Sequence, residues 1–487
     1  MSVITSGGAP PAARPARREA SRLAWLDALR GFAALCVVFD HGTTLVLRPL
    51  HAYLYQWLNF GQYGVFVFFM VSGYIIPASL DRKGSVRGFW VSRAFRLYPL
   101  SLLAIVASAV GYELGYGTIY GGEHHPLATV ASWLLMIPNL LTGPNVPNVT
   151  WTLSYEMVFY LLLAALFSVR AHRHSGGYAL TCAIVVLALG GILPMAALDN
   201  GHGLLTARNV DIAVDALIIA GIGASVSGWG GRRLPVGGAW LAALTGLVLI
   251  SVNQDSYPDP WSGYAILGFM FTGTMIYRAE QGQVSRSRAA MIAIAVLALI
   301  IAGGLWHGTQ NPGLGTDSTT WRWQWVTSLA GAMATFGIGL ALRRRPVPRA
   351  LAWLGMISYS VYLLHPLVLD AFRDVKVLHD VSTSLVVQIP LAIGLLVVII
   401  GVSALTYYLV EKPMQALGRK VARRWEAPDG RPANPQPRTA GEGAGTGLAS
   451  GQAPGGAPAA SASAGDVEAA RSAPISSPVA GGSGGSP

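Results

Sequence analysis

Six ionisable side chains lie within stretches of the sequence that are otherwise apolar. These side chains are Arg30, His41, Arg93, Arg96, Glu156 and His365. Ionisable groups are costly in such surroundings, so each of them is a candidate for a functional role. Imidazole and carboxylate groups suit proton transfer, whereas the planar guanidinium group suits the binding of phosphate. The six residues therefore indicate acid–base chemistry combined with the binding of an anion.

Arg30 and His41 share one face of the first apolar segment. They are eleven residues apart, which in an α-helix returns to within about 20° of the starting direction and advances about 16 Å. Arg93 and Arg96 are three residues apart and also share a helical face. A second interpretation stays open for both pairs. The arginines could anchor the chain at a membrane surface, and His41 could be a packing residue.

Glu156 and His365 fall at a depth similar to that of His41 when the directions of their segments are assigned. A lone carboxylate in a membrane is paired or protonated, and a histidine before a proline can also mark the end of a helix. Asp211 and Asp215 form a weaker candidate pair at the start of their segment. With the arginines at one end and the other three groups nearer the opposite end, the arrangement suits a long anionic donor whose reactive group lies far from its charges.

The segments that carry these residues predict a membrane protein. Of 487 residues, 52% are hydrophobic and only 12% are charged, against about 25% charged in an ordinary soluble domain. A membrane span needs about 20 mostly apolar residues. Spans are predicted near 26–48, 62–80, 97–117, 150–169, 178–198, 210–228, 237–253, 263–279, 289–306, 325–342, 350–371 and 384–410. The predicted fold is an all-α, polytopic membrane helix bundle with about ten to twelve transmembrane helices.

Basic residues give this bundle a direction. The net charge of +11 comes from short basic runs in alternate loops, which fits the rule that such loops face the cytoplasm. Both termini are therefore expected in the cytoplasm, and no nucleic-acid partner is expected. The segment 128–142 contains Pro138 and is too short to span. Counting it as a crossing would break the alternation, so a re-entrant or interfacial segment is predicted there.

Three regions follow from composition. Residues 1–23 are expected to form a cytoplasmic N-terminal tail, and 24–425 a single membrane domain. Residues 426–487 are rich in Gly, Ala, Pro and Ser, and are expected to be a disordered tail because they cannot bury enough apolar surface. The two cysteines, Cys36 and Cys182, lie in apolar stretches, so neither a disulfide framework nor a metal site is expected.

Several motifs occur together and in a fixed order. They are LDALRGFAALCVVFDH with Arg30 and His41, FVFFMVSGYII at 66–76, SRAFRLYP with Arg93 and Arg96, TWTLSYEMVFY with Glu156, ISYSVYLLHP at 357–366 and YYLVEKP at 407–413. In this combination the chain resembles the acyltransferase-3 family of bacterial membrane O-acyltransferases. The resemblance extends over about 24–415, which is nearly all of the predicted membrane domain.

The resemblance implies an activity and roles for the six residues. It implies an integral protein of the bacterial cytoplasmic membrane that moves a short acyl group, such as acetyl, from acyl-CoA to a hydroxyl of a glycan, glycolipid or specialised metabolite. Arg30, Arg93 and Arg96 would bind the phosphates of the donor. His41, Glu156 and His365 would be catalytic, with His41 as general base and Glu156 orienting an imidazole.

Some alternatives stay open at this point. Trp151, Thr152 and Ser154 are candidates for an oxyanion site, and Ser72, Ser154 or His41 could carry the acyl group if the transfer passed through a covalent intermediate. Ser72 also fits close helix packing, because Ser and Gly let helices approach. A proton-coupled transporter of a small solute or lipid-linked sugar is the alternative function, since buried charges are typical of such proteins too.

Overall fold

The computed structural model describes residues 14–116, 126–141, 144–194, 207–227, 231–252, 260–308, 318–373 and 384–426. Within these ranges the regular structure is helical, with no strand. The α-helices are α1 Arg14–Leu45, α2 Arg48–Tyr55, α3 Phe60–Lys83, α4 Val86–Glu113, α5 Pro126–Leu135, α6 Trp151–Ser168, α7 Ser175–Leu189, α8 Ala207–Val226, α9 Arg233–Val252, α10 Pro260–Glu280, α11 Arg286–His307, α12 Ser318–Leu342, α13 Arg349–Arg373, α14 Leu385–Thr406 and α15 Lys412–Glu426.

Each of the twelve predicted spans corresponds to one long helix. In the described part of the chain, ten helical segments are long and apolar enough to cross a membrane. The two other long helices, α1 and α10, carry more polar residues and pack inside the bundle, α1 against α13 and α3, and α10 against α7 and α3. The prediction of an all-helical membrane bundle is therefore confirmed.

The segment predicted to be re-entrant or interfacial forms a short helix and a buried turn. Helix α5 has ten residues, which is about 15 Å and half the thickness of the hydrocarbon core. It is followed by Met136 at a φ of 56° and by a 3₁₀ turn over Pro138–Leu140 whose residues are all buried. A ten-residue helix cannot cross the membrane, while the depth of this segment in the bilayer stays a prediction.

Two close helix contacts hold the centre of the bundle together, and both depend on glycine. A Cβ atom on Gly73 of α3 would lie 2.0 Å from the carbonyl oxygen of Met270 on α10. A Cβ atom on Gly31 of α1 would lie 2.8 Å from the backbone nitrogen of Gly355 on α13. Because no larger residue fits, glycine lets these backbones touch.

The ends of the helices that precede the basic runs meet at one end of the bundle. There Asp81 accepts from Arg278 at 2.6 Å and lies 3.5 Å from His172. Glu280 pairs with Arg343 at 2.8 Å. These contacts join the ends of α3, α10 and α12 to the turn after α6, and we call this the basic end. The predicted alternation of loops agrees with this clustering.

The helices extend to both ends of the predicted membrane domain. Helix α1 begins at Arg14, inside the predicted N-terminal tail. The last part of the domain forms helix α15 and packs on α4, where a Cβ atom on Gly418 would lie 2.5 Å from the Cβ of Phe95. The predicted disordered tail lies outside the described residues, apart from Glu426 at the end of α15.

Candidate active site

His41 and His365 form a hydrogen-bonded pair between α1 and α13. The Nδ1 atom of His41 lies 2.9 Å from the Nε2 atom of His365. The Nδ1 atom of His365 in turn lies 3.1 Å from the carbonyl oxygen of Val361, one turn back along α13. The sequence predicted a similar depth for these two imidazoles, and the structure brings them into direct contact.

This arrangement fixes the position of the protons in the neutral pair. A carbonyl oxygen only accepts, so the Nδ1 of His365 must carry the proton and donate to Val361. The Nε2 of His365 is then an acceptor, and the Nδ1–H of His41 donates to it. The lone pair of His41 is consequently on Nε2, at the far side of the ring. His365 is fully buried, and its Nε2 is the hydrogen-bond partner of the His41 ring.

Arg30, Arg93 and Arg96 line one cavity together with Glu156, and we call it the arginine cavity. Its volume is about 70 Å³. The guanidinium of Arg93 lies 5.2 Å from the ring centre of Tyr160 and 5.4 Å from that of Phe89, in cation–π contact. Three arginines and the carboxylate of Glu156 give the lining a formal charge of 3 − 1 = +2, and two further carboxylates, those of Asp27 and Glu411, interact electrostatically with Arg30 and Arg96. The structure thus brings the three predicted arginines to one cavity, while the binding of an anion there stays a prediction.

Glu156 belongs to this cavity and not to the histidine pair. Its carboxylate accepts a hydrogen bond from the hydroxyl of Tyr160, and it interacts electrostatically with Arg30 and Arg93. In the described part of the chain no hydrogen bond joins it to either imidazole. The depth estimate put Glu156 near His41, but a buried carboxylate is better stabilised by guanidinium groups than by neutral imidazoles. The hydrogen-bond partner of the His41 imidazole is thus His365 and not Glu156.

Two further cavities meet at His41. The aromatic cavity, of about 270 Å³, lies among α1, α3, α6, α10 and α12 and shares Val65 and Tyr362 with the arginine cavity. The α4–α13 cavity, of about 330 Å³, reaches His41 from the ends of α4 and α13. Val65 and Tyr362 line both cavities, so these two residues stand between the arginines and the cavity that His41 lines.

Two residues of the site were not identified from the sequence. Tyr362 lies one helical turn before His365, and its hydroxyl is 3.0 Å from that of Thr152 and donates to the carbonyl of Val149 at 3.3 Å. Glu411, in a π-helical turn over Tyr407–Glu411, is buried and interacts electrostatically with Arg96 and Arg30. Both residues stand in motifs quoted above, but a motif does not show which of its members face a cavity.

The remaining candidates separate into two groups. Ser72 and Thr152 line the arginine cavity, and Trp151 lines the aromatic cavity. Ser154 is fully buried and accepts from the backbone N–H of Asn139, so it points away from these cavities. The weaker pair Asp211 and Asp215 lies on α8, which packs against α9 and α5 and contributes to none of the three cavities described.

Comparison with known proteins identifies the family. The model of the acyltransferase-3 family, described as an acyltransferase domain, matches residues 23–408. The chain is 34% identical over 149 residues to "Acyltransferase MdmB" of Streptomyces mycarofaciens, covering 29% of this chain and 38% of the relative. It is 23% identical over 420 residues to "Putative peptidoglycan O-acetyltransferase YrhL" of Bacillus subtilis (strain 168), covering 82% of this chain and 56% of the relative.

A third relative is "Nodulation protein 10" of Rhizobium leguminosarum bv. viciae, 29% identical over 184 residues, covering 33% of this chain and 48% of the relative. The chain thus spans 38 to 56% of the length of these relatives. No solved structure matches it significantly. The family match extends over most of the chain and favours the acyltransferase interpretation over the transporter. The protein therefore belongs to the acyltransferase-3 family, and its helices are those of a membrane protein.

Proposed function

We propose that the protein transfers an acetyl or similarly short acyl group from acyl-CoA to a hydroxyl of a glycan, glycolipid or specialised metabolite. The observation that carries this proposal is the hydrogen-bonded pair in which His365 leaves the Nε2 lone pair of His41 free. A neutral imidazole with an oriented lone pair is suited to take a proton from a hydroxyl. The names of two relatives, an acyltransferase and an O-acetyltransferase of peptidoglycan, support the same reaction class.

The arginine cavity would hold the donor. Coenzyme A carries several phosphate charges and is found in the cytoplasm, so the basic end would face the cytoplasm, with both termini on that side. Arg93 and Arg96 would bind phosphate oxygens, and Arg30 would assist. The arm of the donor would then pass Val65 and Tyr362 to reach His41. The reach of this arm is of the same order as the rise of about 16 Å from Arg30 to His41 along α1.

The proposed reaction is a direct transfer. The Nε2 of His41 takes the proton of the acceptor hydroxyl, and the acceptor oxygen attacks the thioester carbonyl carbon. A C–O bond forms, the C–S bond breaks, and the sulfur of coenzyme A leaves and receives the proton from His41. The developing oxyanion needs a hydrogen-bond donor, and the hydroxyls of Thr152 and Tyr362 would have to leave the carbonyl oxygen of Val149, to which both donate, to supply it.

A covalent route would need a nucleophile at the thioester. Ser154 points into the protein towards Asn139, and Ser72 lies about two turns further along α3 from Val65, deep in the arginine cavity. Neither serine lines a cavity together with His41, so His41 is not placed to activate either of them. His41 itself is the remaining candidate for an acyl carrier. In that case radiolabel from the donor would stay on the protein after denaturation.

The test is a transfer assay on protein purified in detergent. Radiolabelled acetyl-CoA is added with candidate hydroxyl acceptors, and both coenzyme A release and labelled product are measured for wild type and for His41→Ala. His174→Ala is the matched control, because His174 is an exposed histidine at the basic end. We expect activity in wild type and in the control, with a loss of about 10²–10⁴-fold in His41→Ala. Normal transfer by His41→Ala would refute the proposal.

A further inference from the structure

Helix α15 begins where a lipid-facing helix reaches the basic end of the bundle. The preceding helix, α14, has 22 residues, which is about 33 Å and enough to cross the hydrocarbon core. Its exposed side chains are all apolar. Just after it, the hydroxyl of Tyr408 accepts from the indole N–H of Trp353, near the start of α13, at 3.2 Å. Because α13 follows the end of α12, where Arg343 pairs with Glu280, α15 starts at the basic end.

Specific contacts hold α15 on the bundle. The buried carboxylate of Glu411, directly before α15, accepts from the side chain of Gln415 at 2.9 Å and from the hydroxyl of Ser360 on α13 at 3.0 Å. One turn further on, Gly418 lies so close to α4 that a Cβ atom there would meet the Cβ of Phe95 at 2.5 Å. Helix α15 is therefore packed on one face and presents its other faces outward.

The outward faces of α15 combine apolar and cationic side chains. Met414 and Leu417 are 37% and 44% exposed although both are apolar, and Val421 continues their stripe at helical spacing. At about 100° per residue, Lys420 and Arg424 lie opposite the face that packs on α4, and Leu417 adjoins them one turn earlier. The exposed cations of the helix are Lys412, Arg419, Lys420, Arg423 and Arg424. No ion pair among the described residues involves any of them.

A ligand for this surface must match both the cations and the apolar stripe. An anionic phospholipid does so, because its phosphate can pair with Lys420 and Arg424 while its acyl chains cover Leu417. Helices with a basic side and an apolar side bind anionic membranes through charge attraction and apolar burial together. A nucleic acid or a soluble phosphate would pair with the cations but would leave the apolar stripe in water.

We propose that α15 binds the phosphate headgroups of anionic phospholipids through Lys420 and Arg424, with Met414, Leu417 and Val421 against the acyl chains. The other exposed cations of α15 add to the positive potential around this lipid site. No described residue of α15 lines any of the three cavities. The lipid site is thus separate from the candidate active site and does not depend on the proposed acyl transfer.

The experiment measures lipid binding to the full chain, freed of lipid in detergent, by native mass spectrometry. Dioleoyl phosphatidylglycerol and dioleoyl phosphatidylcholine have the same acyl chains and differ in net charge, and glycerol 1-phosphate is a soluble anion without chains. We expect the first molecule of phosphatidylglycerol to bind about tenfold more tightly than either of the other two. Equal affinity for the two lipids would overturn the role of the cations, and equally tight binding of glycerol 1-phosphate would overturn the lipid assignment.

Variants then locate the site, and all of them change exposed side chains. Lys420→Gln/Arg424→Gln should raise the Kd of phosphatidylglycerol about tenfold and leave that of phosphatidylcholine unchanged. Leu417→Gln should weaken both lipids alike, because it removes apolar contact and no charge. Arg344→Gln/Arg345→Gln removes two charges from the loop between α12 and α13 and should leave both Kd values unchanged. If the α15 double variant keeps its affinity for phosphatidylglycerol, or if the control loses as much, α15 is not the site.

Ionic strength provides a separate measurement on the unaltered protein. Salt screens charges at a surface, so high salt should reduce the preference for phosphatidylglycerol while leaving the binding of phosphatidylcholine as it is. A preference that does not change with salt would contradict the pairing of the phosphate with Lys420 and Arg424. None of these measurements uses acetyl-CoA, so their failure would refute the lipid site alone, and failure of the transfer assay would refute the proposed function alone.

Discussion

Replacing His365 by alanine should slow the transfer reaction without changing the affinity for the donor. The change removes the Nε2 acceptor that lies 2.9 Å from the Nδ1 of His41. The imidazole of His41 then has no partner that selects its tautomer or holds its ring, and its N–H is left unpaired in a half-buried site. An unmade hydrogen bond of this kind costs about 1–3 kcal/mol, which corresponds to a fall in kcat of about 5–150-fold.

The assay compares kcat and KM for acetyl-CoA in wild type, His365→Ala and His365→Gln. Glutamine offers an amide oxygen in place of Nε2, so we expect His365→Gln to keep more kcat than His365→Ala. The KM for acetyl-CoA should stay constant, because His365 does not line the arginine cavity. A merely structural role would lower thermal stability and the yield of folded protein but would not separate kcat from KM. Full kcat in His365→Ala, or a raised KM with normal kcat, would refute the reasoning.

Three further predictions concern other parts of the molecule. Arg96→Gln should raise the KM for acetyl-CoA about tenfold, since one charge-assisted bond to phosphate is lost; an unchanged KM would exclude this residue from donor binding. Gly73→Val should greatly lower the yield of monodisperse protein, because its Cβ would meet the Met270 carbonyl at 2.0 Å, whereas Gly394→Val, in open space, should behave as wild type. Burial and the neighbouring Arg278 lower the pKa of His172 from its usual value, so the unfolded chain binds more protons. Stability, measured as Tm in detergent, should therefore fall as the pH drops below about 6.5, and His172→Gln should lose less Tm than wild type between pH 7.5 and 5.5; an equal loss would contradict this.

The sequence was sufficient for the helices, and five of the six predicted site residues line the cavities described above, although their roles stay predictions. Twelve apolar stretches predict twelve helices, because length and hydrophobicity decide whether a segment can span a membrane. The contact between His41 and His365 joins residues 324 positions apart, and it depends on how α1 and α13 pack. The surroundings of Glu156 could not be predicted in this way, because depth along a helix does not say which neighbour a side chain faces. Tyr362 and Glu411 were missed because only the assembled cavity distinguishes them from other members of their motifs.

Equal spacings on α1 and α13 have a consequence for how the histidine pair is maintained. Gly31 lies ten residues before His41, and Gly355 lies ten residues before His365, so both helices rise about 15 Å from their crossing point to the imidazoles. Because both histidines lie the same distance from the contact between the two glycines, this contact sets the relative height of the two imidazoles. Inserting one residue into either length would turn its histidine by about 100° and break the match, so natural variation in these segments should be by substitution and not by insertion or deletion. A bulky side chain at Gly31 or Gly355 should push α1 and α13 apart and thereby separate the two imidazoles from each other. The substituted residue would lie about 15 Å from the rings and would touch neither of them.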